Sequence, residues 1–470
     1  MKKSLLLASM AALALSASAQ AVDPATYTAT DKFQLTSKWL MARVNNGASS
    51  IGFAQWESLP FGNEGKGTMA TMLNGKCYIS CSTDFVAGDE GPVLADNGHL
   101  LVFDAATGAF EKDLKLTVDG APLYGLLCVN TIGHDQYGHL YVANYRQVLY
   151  KNDAGTVTPV TIYIVDPETG ACTLAAEIVL NDVDGPTYAG RVDFIDVVGD
   201  LTVTEAPCVV MAIPNEQTVF YGFRKEQGGT DWDGAFDGFF VIDGDGELTT
   251  DPEGQTAWNY SPYVSIVRDE DVTAEYFYAD GHTTRPALYN NASEMVESLA
   301  VHDGDDAWAS FLPSLQPNGI RQIDLAGTSF IAYPLDFGDD KTIGGHIAMV
   351  QLDEESSLNN ATPLWVFPES GLGVKKGEGR FLHSIDVSEP YDDGQGHSAV
   401  DVMIFKDCNG LGVYQLAETG FVKGVNDVVV DDSNAPVEYF NLNGVRMQGE
   451  LAPGLYISRQ GSTVSKVVIK

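Results

Sequence analysis

Residues 100–116 read LLVFDAATGAFEKDLKL, and sixty-two residues further on residues 162–180 read IYIVDPETGACTLAAEIVL. Each stretch is a short β-branched and aromatic run, then Asp-x-x-Thr-Gly, then a second run of strand length. The carboxylates of Asp104 and Asp166 can fold back onto backbone N–H groups two residues on, and Gly108 and Gly170 supply the positive φ that a tight return needs. Each unit is therefore expected to be a β-hairpin corner. A cofactor or metal box would need ligands converging from several segments, and one carboxylate on a turn does not provide them.

Working outward, TMATML, KCYISCS, HLLVFDA and FEKDLKL form one group of four strand-like runs, and GLLCVNTIG, HLYVANY, VTIYIVD and CTLAAEIVL form the next, each in about fifty residues. A third group begins at RVDFIDVVG with PCVVMAIP and TVFYGF. Weaker copies continue through PYVSIVRDED, GIRQIDLAG, IAMVQLD, FLHSIDVSE and LGVYQLAE. A twisted four-stranded sheet has two apolar faces that only neighbouring sheets can cover, so repeated meanders predict an all-β chain folded as a β-propeller. Seven blades are expected, with six or eight open. LTSKWLMARV, residues 35–44, precedes the first full group and would close the ring by joining the last blade. The rival fold is a pair of β-sandwiches.

Lys2-Lys3, an apolar run from Leu5 to Leu15 and Ala17-Ser18-Ala19 predict a signal peptide over residues 1–19. No later apolar stretch of about 18 residues exists, so the mature chain is expected to lack a transmembrane segment. Its removal leaves 25 basic against 64 acidic side chains, a formal charge of −39. Such a field repels phosphate, which makes nucleic acid and anionic membrane poor partners, and no nucleic-acid partner is expected. The spacing of Cys77, Cys81, Cys128, Cys172, Cys208 and Cys408 does not read as a disulfide framework. Cys77 and Cys81 on one strand would stand about 13 Å apart, beyond bonding distance.

The composition shifts near residue 420: residues 421–470 hold five basic and five acidic side chains, so the acidity belongs to the propeller, residues 20–420. The tail contains YFNLNGVRM and ends on PGLYISRQGSTVSKVVIK. It resembles the C-terminal sorting domain of proteins exported by the type IX secretion system, at Asn441, Gly444, Pro453, Gly454, Tyr456, Lys466 and Lys470. The resemblance implies a small C-terminal β-sandwich over residues 421–470, read by the outer-membrane secretion machinery, and a secreted or cell-surface location after periplasmic passage. LTSKW, GTMATMLNGKCYIS, LLVFDAATGAF and HLYVANY resemble a family of secreted propeller proteins whose activity is not established, which implies fold and location alone. The turns also resemble those of quinoprotein propellers, but Phe110 and Cys172 stand near where those repeats carry Trp after Thr-Gly, which argues against a quinone cofactor.

His-Glu-x-x-His, Gly-x-Ser-x-Gly and phosphate-loop motifs are absent, as is the Ser-x-Asp-x-Gly-x-Thr-Trp repeat of sialidase-like propellers. His134 and His139 in GHDQYGHLYV are expected to frame a turn entering a strand. The acidic loops TDWDGAFDG and DGDGE are calcium candidates through Asp231, Asp233, Asp237, Asp243, Asp245 and Glu247, although neither completes a twelve-residue calcium loop. Trp232 and Trp258 are candidate stacking platforms for a ligand. Two functions follow: a non-enzymatic module that binds an extracellular glycan, peptide or surface partner, or a propeller hydrolase or lyase acting on extracellular polysaccharide with carboxylates at the funnel.

Overall fold

The computed structural model describes residues 27, 29–42, 67–81, 85–88, 91–94, 98–123, 129–144, 160–178, 192–202, 208–214, 221–225, 263–268, 272–281, 284–291, 294–313, 319–335, 343–369, 371–374, 383–406, 410–422, 437–440, 447, 453–460 and 463–469. Among them are strands and one 3₁₀ turn at Leu299–His302, with no α-helix. The signal-peptide expectation falls outside these residues.

Six antiparallel meanders follow one another along the chain. From inner to outer strand, the first blade is Gly67–Leu73, Lys76–Cys81, His99–Asp104 and Phe110–Lys115. The second is Val129–His134, Leu140–Asn144, Val160–Val165 and Cys172–Ile178. The third has three described strands, Val192–Gly199, Cys208–Pro214 and Tyr221–Lys225. The fourth is Tyr263–Ile266, Tyr276–Gly281, Thr284–Asn290 and Met295–Ser298. The fifth is Arg321–Leu325, Thr328–Pro334, Ile347–Gln351 and Thr362–Phe367. In the sixth, His383–Val387, Ser398–Lys406 and Gly410–Glu418 take as their outermost partner the N-terminal strand Phe33–Ala42.

Each inner strand lies against the inner strand of the next blade, and the sixth lies against the first. That cycle is a closed wheel and excludes two sandwiches. The described residues supply six blades where seven were expected. The weaker copies between residues 263 and 367 fall into two sheets, because Met295–Ser298 is the outer strand of the fourth blade and does not open a new one.

Apolar packing between blades holds the wheel. Trp39 and Met41 of the closing strand meet Met72, Ile79, Leu101 and Phe103 of the first blade and Phe405 and Val413 of the sixth. The Trp39 indole N–H also donates to the Ala105 carbonyl at 2.8 Å. One N-terminal strand therefore completes the last sheet and ties it to the first.

The two Asp-x-x-Thr-Gly stretches are corners, as the sequence indicates. Asp104 Oδ1 accepts from the Ala106 and Thr107 N–H groups, and Asp166 Oδ1 from Glu168 and Thr169. Gly170 has φ +75°, and a Cβ there would stand 2.1 Å from the Lys115 carbonyl oxygen, so that corner packs directly on the blade before it. Cys77 and Cys81 share one strand as buried thiols, with no disulfide between them.

The chain divides into two compact units, residues 1–391 with 398–419, and residues 392–397 with 420–470. In the second, Val437–Phe440, Gly454–Gln460 and Thr463–Ile469 form one three-stranded antiparallel sheet. Pro453 and Gly454 lead into its central strand, Tyr456 is buried there, and Lys466 pairs with Ile457. Asn441, Gly444 and Lys470 lie outside the described residues, and a second layer of a sandwich is not seen among the described ones.

Candidate functional site

The inner strands of a propeller converge on its axis, and here they bring an unusual density of charge together. Two of them carry the same triplet, Ile195-Asp196-Val197 in the third blade and Ile385-Asp386-Val387 in the sixth. Strand alternation sends Ile and Val into the apolar layer and turns each Asp the other way. Asp196 accepts from the Val197 N–H at 3.0 Å and from the Ile266 N–H of the next blade at 2.8 Å. Asp386 repeats the pattern, accepting from Val387 at 2.9 Å and, in the next blade, from the Met72 N–H at 2.7 Å and the Thr71 hydroxyl at 2.6 Å. Each aspartate thus links its blade to the following one.

Arg321, at the start of the fifth inner strand, bridges the two. Its Nη2 lies 3.0 Å from Asp386 Oδ1 and its Nη1 3.8 Å from Asp196 Oδ1. From the second blade, His134 Nδ1 donates to the Asp135 carbonyl at 3.1 Å, while Nε2 makes an ion-pair contact of 3.4 Å with Asp386 Oδ2. Burial by itself would raise the Asp386 pKa. The neighbouring His134 and Arg321 charges and the Thr71 hydrogen bond outweigh it and hold the carboxyl far below the usual carboxylate range. Burial works against the Arg321 charge too, but Asp386 and Asp196 raise its pKa overall.

This layer stands between two cavities that share His134 and Arg321. One, of about 40 Å³, is lined by Thr71, Tyr141, Asp196, Ser384 and Asp386 among others. The other, of about 140 Å³, lies towards the C-terminal ends of the inner strands and includes Ser265, Arg268, Gln322, Asp324 and Glu389 in its wall. Arg268 is the odd member. Its Nη2 is shut off from solvent and meets no protein acceptor. Burial and the like charge of Arg321 lower its pKa overall, against the opposing charges of Asp196 and Asp386. A buried guanidinium nitrogen without an acceptor favours an incoming anion.

Asp386 is a poor acid–base catalyst. It is held ionised, and its oxygens already face four donors, from Thr71, Met72, Val387 and Arg321. Proton transfer would need a carboxyl that changes protonation near working pH. Asp280, of the fourth blade, is the opposite case: burial raises its pKa well above the ordinary value, against one opposing hydrogen bond from the Gly319 N–H. It does not line either cavity.

Among the described residues, Asp135, His139 and Asp200 form the one group spaced for a metal ion. Its ligand atoms are engaged within the protein. Asp135 Oδ1 accepts from Tyr137 and His139 N–H, its Oδ2 accepts from Leu201 N–H and faces His139 Nδ1 at 2.8 Å, and Asp200 Oδ1 accepts from Thr202. Asp393 and His397 build the same Asp-x-x-Gly-His corner, with Nδ1 3.0 Å from Oδ2. The repeated geometry makes this a turn device, consistent with the expectation that His139 frames a turn. His134, expected beside it in the same role, points to the axis instead.

Asp231, Asp233, Asp237, Asp243, Asp245, Glu247, Trp232 and Trp258 all lie outside the described residues. Sequence reasoning passed over Arg268, Arg321, Asp196 and Asp386. The available signal was the recurrence of Ile-Asp-Val in two strands, together with arginines inside strand-like runs of a chain with only 27 basic residues.

No protein-family model matches the sequence, and no curated protein matches it significantly. Solved structures do resemble the chain. A DUF4623 family protein from Bacteroides eggerthii shares 12% identity at a TM-score of 0.48, over 85% of this chain and 78% of that one. An exo-β-1,3-galactanase from Clostridium thermocellum shares 9% at 0.35, over 75% and 81%. A polysaccharide lyase, a PL25 ulvan lyase, shares 9% at 0.35, over 74% and 82%. Likeness at this level carries no argument about chemistry.

Proposed function

We propose that the chain is an extracellular binding module whose axial cavity receives an anionic group, and that the C-terminal residues 421–470 direct its export through the outer-membrane secretion machinery. The observation that carries the binding reading is the Arg268 guanidinium, with a buried Nη2 that no protein acceptor meets, in a cavity shared with Arg321. The formal charge of −37 disfavours polyanions at long range. Screening within about 8 Å at physiological ionic strength confines that penalty to the approach, and leaves the local contact at the cavity intact.

The test is binding of the full chain to immobilised pectate and alginate, with dextran as the neutral control, for the natural sequence and for Arg268→Gln. A charge-assisted hydrogen bond contributes about 1.5–3 kcal/mol, so the variant is expected to bind the acidic polymers at least tenfold more weakly. Equal binding of dextran, or no effect of the substitution, overturns the reading. For export, deletion of residues 421–470 is expected to leave the protein in the periplasm, and its appearance outside the cell would remove that part of the proposal.

The second reading is a polysaccharide hydrolase or lyase. Asp324 and Glu389, both exposed, line the same cavity as the two arginines, and a pair of carboxylates is the residue type such chemistry uses. Release of reducing ends or unsaturated products from the same polymers, abolished by Glu389→Gln, would place the chain in that class.

A further inference from the structure

Besides His134 Nε2, two atoms in the wall of the larger axial cavity lack a hydrogen-bond partner, and they are of opposite kind. Arg268 Nη2 is a buried donor with no protein acceptor, and Gln322 Oε1 is a buried acceptor with no protein donor. The orientation of Gln322 is fixed from both sides. Its Nε2 donates to Asp324 at 3.2 and 3.3 Å, and its backbone N–H donates to Ser265 Oγ at 3.1 Å, so Oε1 is the atom left over. Both residues line the same space of about 140 Å³.

Resting on the anion-binding reading above, we infer that this cavity recognises a hydroxy-carboxylate, the chemistry of a uronic acid: its carboxylate meets Arg268 and one of its hydroxyls donates to Gln322 Oε1. A sulfate ester has acceptors only and would leave the glutamine oxygen buried and unpaired. A simple carboxylate shares that defect. A neutral sugar offers hydroxyl donors but no charge for the guanidinium. Leaving a buried polar group unmatched costs about 1–3 kcal/mol, which is why a site of this kind discriminates. The cavity is smaller than the 300–1,000 Å³ typical of a whole drug-sized ligand, so it admits one unit of a longer chain, or a free acid of that size. Arg321 lines the same cavity, but its guanidinium is already paired with Asp386 and, at longer range, Asp196, so it adds positive charge to the wall without being consumed by the ligand.

The experiment is ligand-observed NMR titration of the full chain with glucuronate, galacturonate, lactate, acetate, sulfate and glucose. Glucuronate or galacturonate is expected to bind at least tenfold more tightly than acetate, sulfate or glucose. Gln322→Leu is expected to bring the uronates down to the acetate level while acetate binding is unchanged, and Arg268→Gln to abolish binding of every anion. Lactate binding as tightly as the uronates supports the hydroxy-carboxylate chemistry with a small free acid as its source. Acetate or sulfate matching the uronates, with Arg268 still required, overturns this inference and leaves the anion-binding reading standing. Failure of the natural protein to bind any of the anions overturns both. The ligand panel decides the question on the unsubstituted protein, so a variant that does not fold leaves the outcome intact.

Discussion

Replacing Asp386 by asparagine removes the charge on which the axial layer is built while keeping the shape of the side chain. In the folded protein Asp386 Oδ2 accepts from the Thr71 hydroxyl at 2.6 Å and the Met72 N–H at 2.7 Å, and Oδ1 accepts from Val387 at 2.9 Å and pairs with Arg321 at 3.0 Å. Asparagine puts an NH₂ group against donors and leaves the Arg321 charge with only the longer contact to Asp196, at 3.8 Å. Removing one partner of a buried ion pair costs about 3–5 kcal/mol, and we expect that loss in equilibrium urea unfolding followed by tryptophan fluorescence. Replacing both charges together can be nearly neutral, so the Asp386→Asn, Arg321→Met double variant should be more stable than the sum of the two single losses, by about 1–3 kcal/mol. The carboxyl pKa is lower in the folded than in the unfolded chain. Its stabilising contribution is therefore complete above the unfolded value near 4 and fades as the pH falls below it, so the gap between the natural protein and Asp386→Asn should narrow on acidification below about pH 4. A single-variant loss under about 1 kcal/mol, additive losses, or a gap independent of pH would each refute the account of the axial layer as a coupled ionic network.

Three further outcomes are expected. Gly170→Ala should destabilise the wheel by more than about 2 kcal/mol, since its Cβ meets the Lys115 carbonyl, whereas Gly75→Ala, at φ +73° with nothing within 4 Å, should cost only about 1 kcal/mol in the same thermal unfolding assay. Deleting residues 20–44 exposes the partners of Phe33, Leu35, Trp39, Leu40 and Met41, all buried, which amounts to about 10 kcal/mol at 1.5–3 kcal/mol per large side chain, comparable with the whole stability of a domain. The truncated chain should lose its cooperative unfolding transition, and a peptide of residues 30–44 added in trans should restore it. Burial pushes the Cys172 thiol up to about 11 and raises Cys77 as well, so mass mapping after maleimide treatment at pH 7.5 should find both unmodified in the folded protein and labelled in urea.

Much of the fold was legible because its determinants are local. The Asp-x-x-Thr-Gly corners, the apolar runs HLLVFD and VTIYIV, and the closing strand with its tryptophan each follow from backbone geometry and apolar patterning within a dozen residues. Blade number was less legible, because assigning the run Met295–Ser298 to one sheet or the next depends on its pairing with Ala287–Tyr289 and not on its own composition.

The site is a different matter. Asp196, Arg268, Arg321 and Asp386 are spread over 191 residues of chain, and each taken alone is an ordinary charged residue in or beside a strand. The sequence by itself determined that the chain would build repeated four-stranded sheets, that the last would be closed by the first strand, and that acidity would reside in the propeller and not in the tail. Only the tertiary structure decided how the sheets close the circle, six of them among the described residues, which charges meet on its axis, and which of their polar atoms are left without a partner. Turns and strands are set by neighbours in the chain, whereas the pairing of a buried charge depends on groups that only ring closure brings within 4 Å of one another.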